Sequence, residues 1–99
     1  MKQKVFISGR VSGLRPDTVR KNFSKVESKY KKLGYDVVNP TKLYSRNWYW
    51  LRCMYVRLKA LYQCDFVYMI PNWKKSRGAR IEHWFARIWG KGIYYGERV

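Results

Sequence analysis

Only six carboxylates stand against 22 lysines and arginines in this chain of 99 residues, so a carboxylate placed within reach of a ligand is informative. Glu82 is such a residue. It closes the segment Ser76-Arg77-Gly78-Ala79-Arg80-Ile81-Glu82, in which Ser76 suits a helix N-cap. The small residues Gly78 and Ala79 leave room beside the first turn for a substrate. A carboxylate in the second turn can act as nucleophile or general base. It can equally be a helical glutamate stabilised by the dipole and by neighbouring arginines. His83 comes next, but adjacent helical residues point about 100° apart, which assigns it to packing or surface. Glycosidases of the usual kind need two carboxylates. Asp17 is the nearest second acid, and it more simply serves the start of a helix beginning at Pro16.

Two further groups carry chemistry. Ser8-Gly9-Arg10-Val11-Ser12-Gly13 follows a strand and precedes a helix. Its glycines permit close backbone approach, and Ser8, Arg10 and Ser12 can add donors to a phosphate. The spacing matches neither GxGxxG nor GxxxxGK[ST], so a tight strand-to-helix turn is the competing reading. Tyr44, Trp48, Tyr49, Trp50 and Trp73 cluster in or beside two loops, with Arg46 and Arg52. They fit stacking on a nucleobase or on single-stranded nucleic acid, and they fit a dimer contact equally well.

The net charge of +16 favours anionic partners: phosphorylated small molecules, nucleic acid or acidic lipid. Cys53 and Cys64 on one helix lie about 16 Å apart along its axis, too far for a disulfide. No CxxC or Cys/His cluster suggests zinc, and nothing calls for a cofactor. The chain opens on a strand without an apolar signal region, and no stretch approaches a membrane span. These features predict a cytoplasmic protein without a membrane partner. The 46% apolar content of 99 residues supports one domain over residues 1–99.

Positioning these groups requires an alternating fold. Lys4 to Ser8 reads as a strand. Val19, Phe23, Val26, Tyr30 and Leu33 form one helical stripe ended by Gly34, with Arg20, Lys21, Lys25, Lys29 and Lys32 on the other face. Tyr35 to Val38 is a second strand, stopped by Asn39-Pro40. Leu51, Met54, Leu58 and Leu61 mark a second helix, and Asp65 to Ile70 a buried parallel strand. Ile81, Phe85 and Ile88, flanked by Trp84, mark a third helix, followed by a last strand at Ile93 to Tyr95. Such alternation predicts α/β architecture with a parallel four-stranded sheet between helices. Ligands then bind beyond the carboxyl ends of the strands, at the loops Ser8 to Arg15, Asn39 to Trp48 and Pro71 to Gly78. Asp65 sits at the opposite end and reads as a structural turn residue.

The chain resembles the nucleoside 2-deoxyribosyltransferase-like superfamily, especially its small bacterial and phage members. The resemblance spans nearly the whole chain. It rests on Val5-Phe6-Ile7-Ser8-Gly9 with Ser12-Gly13, Val37-Val38-Asn39-Pro40, Leu61-Tyr62-Gln63-Cys64-Asp65, and the block from Trp73 through Ser76, Gly78, Ala79 and Arg80 to Glu82. It implies a flavodoxin-like, Rossmann-like three-layer sandwich and 2-deoxyribosyl N-glycosidase or transferase activity on nucleotides. In that reading Glu82 is the catalytic nucleophile. Ser8, Gly9, Arg10 and Gly13 form a phosphate loop, Ser76 contacts phosphate, and Asn39, Trp73 and Gly78 complete the substrate site. A homodimer is implied as well. Active relatives carry an aspartate on the second helix that orients the sugar or handles a base proton. Here that position is Arg57, which cannot accept a proton at neutral pH. The alternative is therefore a non-catalytic nucleotide- or nucleic-acid-binding module of the same fold.

Overall fold

In the computed structural model, which describes residues 3–11, 13–42 and 49–96, strands and helices alternate as the pattern requires. The elements are β1 (Lys4–Ser8), α1 (Pro16–Lys32), β2 (Asp36–Val38), α2 (Trp50–Tyr62), β3 (Phe66–Met69), α3 (Arg77–Ile88) and β4 (Gly92–Tyr95). Short 3-10 turns occupy Pro40–Lys42 and Trp73–Lys75. All strand pairs are parallel, in the order β2-β1-β3-β4. The chain leaves β1 toward β2 and leaves β3 toward β4, so the order reverses between the two central strands. Right-handed crossovers then put α1 on one face and both α2 and α3 on the other. This is the flavodoxin-like three-layer α/β arrangement.

The two faces have separate cores. Ile7, Val19, Phe23 and Ile70 close the α1 face. Phe6, Leu61, Cys64, Val67, Met69, Ala79 and Ala86 close the α2/α3 face. Alternate strand residues thus serve opposite layers, as a pleated strand requires. Phe6 and Phe23 are fully buried and each contributes about 1.5–3 kcal/mol by leaving water. Pro16 begins α1, and Gly34, at φ +94°, ends it by donating its N–H to Lys31 O at 3.1 Å.

Three residues of the expected apolar stripes lie outside the core. Leu51 is 75% exposed, Leu33 63% and Ile88 56%. Each occupies the first or last turn of its helix, or the cap position beyond it. In α3 the buried face is not the large apolar stripe but Gly78, Ala79, Glu82 and Ala86. Small residues bring this helix close to the sheet, while Phe85 and Trp89 pack sideways toward Tyr62 of α2. Among the described residues, no helix is long and apolar enough to cross a membrane. Neither Cys53 nor Cys64 is in a disulfide, and Cys64 is buried, which pushes its thiol up to about 11. Asp65 accepts the Lys4 N–H at 2.8 Å, the structural role expected of it.

Candidate functional site

Glu82 and Ser8 are brought together at the reversal of strand order. Ser8 ends β1 on the side facing α3, and Glu82 projects from the second turn of α3 toward it. The Ser8 hydroxyl donates to Glu82 Oε1 at 2.6 Å. Arg57, from the middle of α2, donates through Nη2 to the same oxygen at 2.8 Å. All three residues are buried, Glu82 completely. Its second oxygen, Oε2, has no hydrogen-bond partner. Burial pushes the Glu82 carboxyl above the usual carboxylate range, and the Arg57 guanidinium and Ser8 hydroxyl oppose that rise. The expected acid position is thus filled by the nucleophile candidate's own counter-ion.

The other expected contacts divide between structure and surface. Ser76 caps α3: its hydroxyl accepts the Ala79 N–H at 3.2 Å. Gly78 does not leave space for a substrate, because a Cβ there would meet Met54 Sδ at 3.1 Å and Arg57 Nη1 at 3.5 Å. The glycine instead lets α2 lay Arg57 against the start of α3. Gly9 is packed on Ile70, whose side chain would lie 2.8 Å from an added Cβ. Arg10 donates its backbone N–H to Asn72 Oδ1 at 3.1 Å, tying the first loop to the loop after β3. Its guanidinium lies against Gly13, so that an added Cβ would fall 2.6 Å from Nη2, and Gly13 also holds φ +82°. Asn39 is buried and accepts from Thr41 N at 3.1 Å and Thr41 Oγ1 at 2.6 Å, which shapes the exit from β2. Trp73 stacks on His83 at 4.4 Å, and His83 Nε2 lies 2.6 Å from the Tyr95 hydroxyl. Burial, Arg87 and Lys74 hold His83 below its usual range, so it is neutral at neutral pH and belongs to a packing cluster. Ser12, Tyr44, Arg46 and Trp48, and the Trp50 side chain, lie outside the described residues.

Among the described residues, two of the cavities at the carboxyl edge border the expected ligand loops. One of about 640 Å³ lies between the first loop, α1 and the turn after β2, with Gly13, Arg20, Ser24, Asn39, Thr41 and Lys42 on its walls. The other, about 650 Å³, is bounded by Trp73, Lys74, His83 and Tyr95. Both are large enough for a nucleotide-sized ligand. Among the described residues, no cluster of histidine, cysteine or carboxylate suits a metal ion.

One buried carboxylate escaped the sequence reading. Glu27 sits on the inner side of α1 and bonds Lys42 at 2.9 Å, with Lys31 at 3.5 Å. Burial pushes its carboxyl up, but Lys42, Lys31 and a hydrogen bond from Asn39 outweigh this and leave it below its usual value. Its place beside Phe23 and Val26 on the apolar stripe was the available signal: an acid there needs a partner. A carboxyl depressed on folding stabilises above its unfolded value near 4.3, and that contribution disappears as pH falls through the folded value. Lys42→Ala is therefore expected to cost up to about 1 kcal/mol at neutral pH, because the lysine is mostly exposed, and nothing in strong acid. Urea denaturation of the two proteins at both pH values measures the difference.

No curated protein matches the chain. Residues 3–95 match the family described as Domain of unknown function (DUF4406), and the chain belongs to that family.

Proposed function

We propose that the domain is a nucleotide-binding module of the nucleoside 2-deoxyribosyltransferase-like type, in which Arg57 holds Glu82 in an ion pair and prevents glycosyl transfer. The observation that carries this reading is the 2.8 Å contact between Arg57 and a completely buried Glu82. A nucleophile must reach the anomeric carbon, and a carboxylate sealed beneath a guanidinium does not. The carboxyl-edge cavity beside Gly13 and Asn39 takes the ligand, with the Arg10 guanidinium against Gly13 supplying positive charge for its phosphate. The charge of +16 favours a phosphorylated ligand over a free nucleoside.

Calorimetric titration with 2′-deoxynucleoside 5′-monophosphates at low ionic strength tests this, with chromatography of the same mixtures for free base. The expected result is binding that weakens with salt and in Arg10→Ala, and base release no greater than in Glu82→Ala. Absence of binding by every common deoxynucleotide would sink it. Base release above that control would instead support a second reading, a 2-deoxyribosyl N-glycosidase or transferase whose Arg57 moves aside. The specific observation favouring the second reading is Glu82 Oε2, a buried carboxylate oxygen with no hydrogen-bond partner.

A further inference from the structure

The strand order leaves half of one sheet face bare. On the face covered by α1, that single helix packs over β1 and β2, while both other helices lie behind the sheet. The exposed half of the α1 side is built from alternate residues of β3 and β4, the aromatic Phe66, Tyr68 and Tyr94 with Gly92. Phe66 and Tyr94 meet edge to face at 4.7 Å, and Tyr68 packs against Tyr30 of α1 at 5.3 Å. Phe66 is buried beneath the others, Tyr68 is half-buried, and Tyr94 is 53% exposed.

Tyr30, Tyr68 and Tyr94 floor an open groove of about 810 Å³. Its helical wall presents Lys25 and Lys29, one turn apart and both exposed. Lys29 Nζ lies 5.8 Å from the centre of the Tyr30 ring. No described carboxylate lines the groove. The result is an aromatic floor beside a cationic rim, in a chain of net charge +16.

We propose that this groove binds single-stranded nucleic acid, with bases stacking on Tyr94 and Tyr68 and the backbone phosphates running along Lys25 and Lys29. Charge decides the occupant. A second copy docked through this face in a two-fold dimer would bring a second set of the same lysines into one interface, with no carboxylate from the groove to offset them. A polyanion gains from both lysines. A duplex keeps its base faces stacked internally and cannot use the tyrosines, whereas a single strand can. The groove is distinct from the cavity beside Gly13, so this proposal and the nucleotide reading stand or fall separately.

Fluorescence anisotropy with a labelled oligothymidylate, titrated at several salt concentrations, provides the test. Wild type is expected to bind at low salt. Tyr94→Ala should weaken binding about 5- to 100-fold, the range for loss of one stacked base, and Tyr94→Phe should retain affinity. Lys25→Gln/Lys29→Gln should reduce the slope of log affinity against log salt by about 0.7 per lysine. Lys59→Gln/Lys75→Gln removes equal charge elsewhere and should change the slope less. Circular dichroism checks that the variants are folded, which the exposure of Tyr94 favours. The proposal is overturned if wild type does not bind, if Tyr94→Ala binds as wild type does, or if the two lysine pairs behave alike. It is also overturned if wild type sediments as a dimer that Tyr94→Arg disperses, because the face then belongs to a second copy.

Discussion

Arg57→Met is expected to destabilise the domain by about 3–5 kcal/mol at neutral pH, a large share of the roughly 5–15 kcal/mol that holds most domains together. The size follows from what remains. Glu82 would be left fully buried with only the Ser8 hydroxyl bonded to it. Methionine keeps most of the aliphatic stem of the arginine, so the lost charge dominates. The defect should also depend on pH, with a definite sign. Burial already holds the Glu82 carboxyl above its ordinary range, and Arg57 opposes that rise. Without the guanidinium the carboxyl moves further up. A carboxyl that keeps its proton longer when folded destabilises progressively as pH climbs from its unfolded value, about 4.3, toward its folded value, and by a constant amount above it. The gap between Arg57→Met and wild type should therefore be small in acid and greatest at neutral pH. A second substitution checks the cause. Adding Glu82→Leu removes the stranded charge, and adding Ser8→Ala removes the hydroxyl that then lacks its acceptor. The triple variant should recover most of the lost stability, because apolar replacements of a whole buried pair are often neutral or better. Urea denaturation across pH measures all of this. A defect that is the same at every pH would mean that Arg57 acts through packing alone.

The alternation of strands and helices was legible because period and turn residues agree along the chain. Gly34, Asn39-Pro40 and Ser76 end or begin elements where their backbone chemistry demands it. The rule for parallel sheets also brought Ser8 and Glu82 to one edge. That they bond each other was not legible. They are 74 residues apart, and only the helix-to-sheet distance of α3 decides whether the carboxylate reaches a strand. That distance is set by Gly78, Ala79 and Ala86, small residues that a search for large apolar stripes passes over. Arg57 did leave a signal. It falls three residues after Met54 and next to Leu58 in the stripe that α2 buries, and a cation there needs a buried acid. With six acids in the chain, Glu82 was among few candidates. Ser8, Gly9, Gly78 and Ser76 make packing and capping contacts that the sequence does not distinguish from ligand chemistry, because the same residue types serve both. A glycine that admits a phosphate and a glycine that admits Ile70 are identical in sequence.

Arg57→Asp is expected to release Glu82 as a nucleophile, raising base release from deoxynucleotides about 10²-fold or more over wild type. Two consequences of one substitution combine. The arginine bonds Glu82 and is itself 5% exposed, so shortening it removes the counter-ion of the carboxylate and leaves space beside it. The aspartate then supplies the acid–base group whose help is typically worth about 10²–10⁴ in rate. Two neighbouring carboxyls in a buried site share a proton, which leaves one ionised to attack and one protonated to donate. Glu82 attacks the anomeric carbon as the C–N bond breaks, and the base leaves with the proton from Asp at position 57. Water, giving its proton back to that aspartate, then cleaves the glycosyl ester and frees the sugar phosphate. Arg57→Asn separates the two consequences, because it opens the same space without a titratable group and should gain much less. Arg57→Asp/Glu82→Ala must release no base above background, and the activity of Arg57→Asp should fall at high pH as the shared proton is lost. Thermal unfolding verifies that each variant is folded at the assay temperature. If folded Arg57→Asp binds nucleotide yet releases no more base than the double variant, Glu82 is a structural ion-pair partner and not a latent nucleophile.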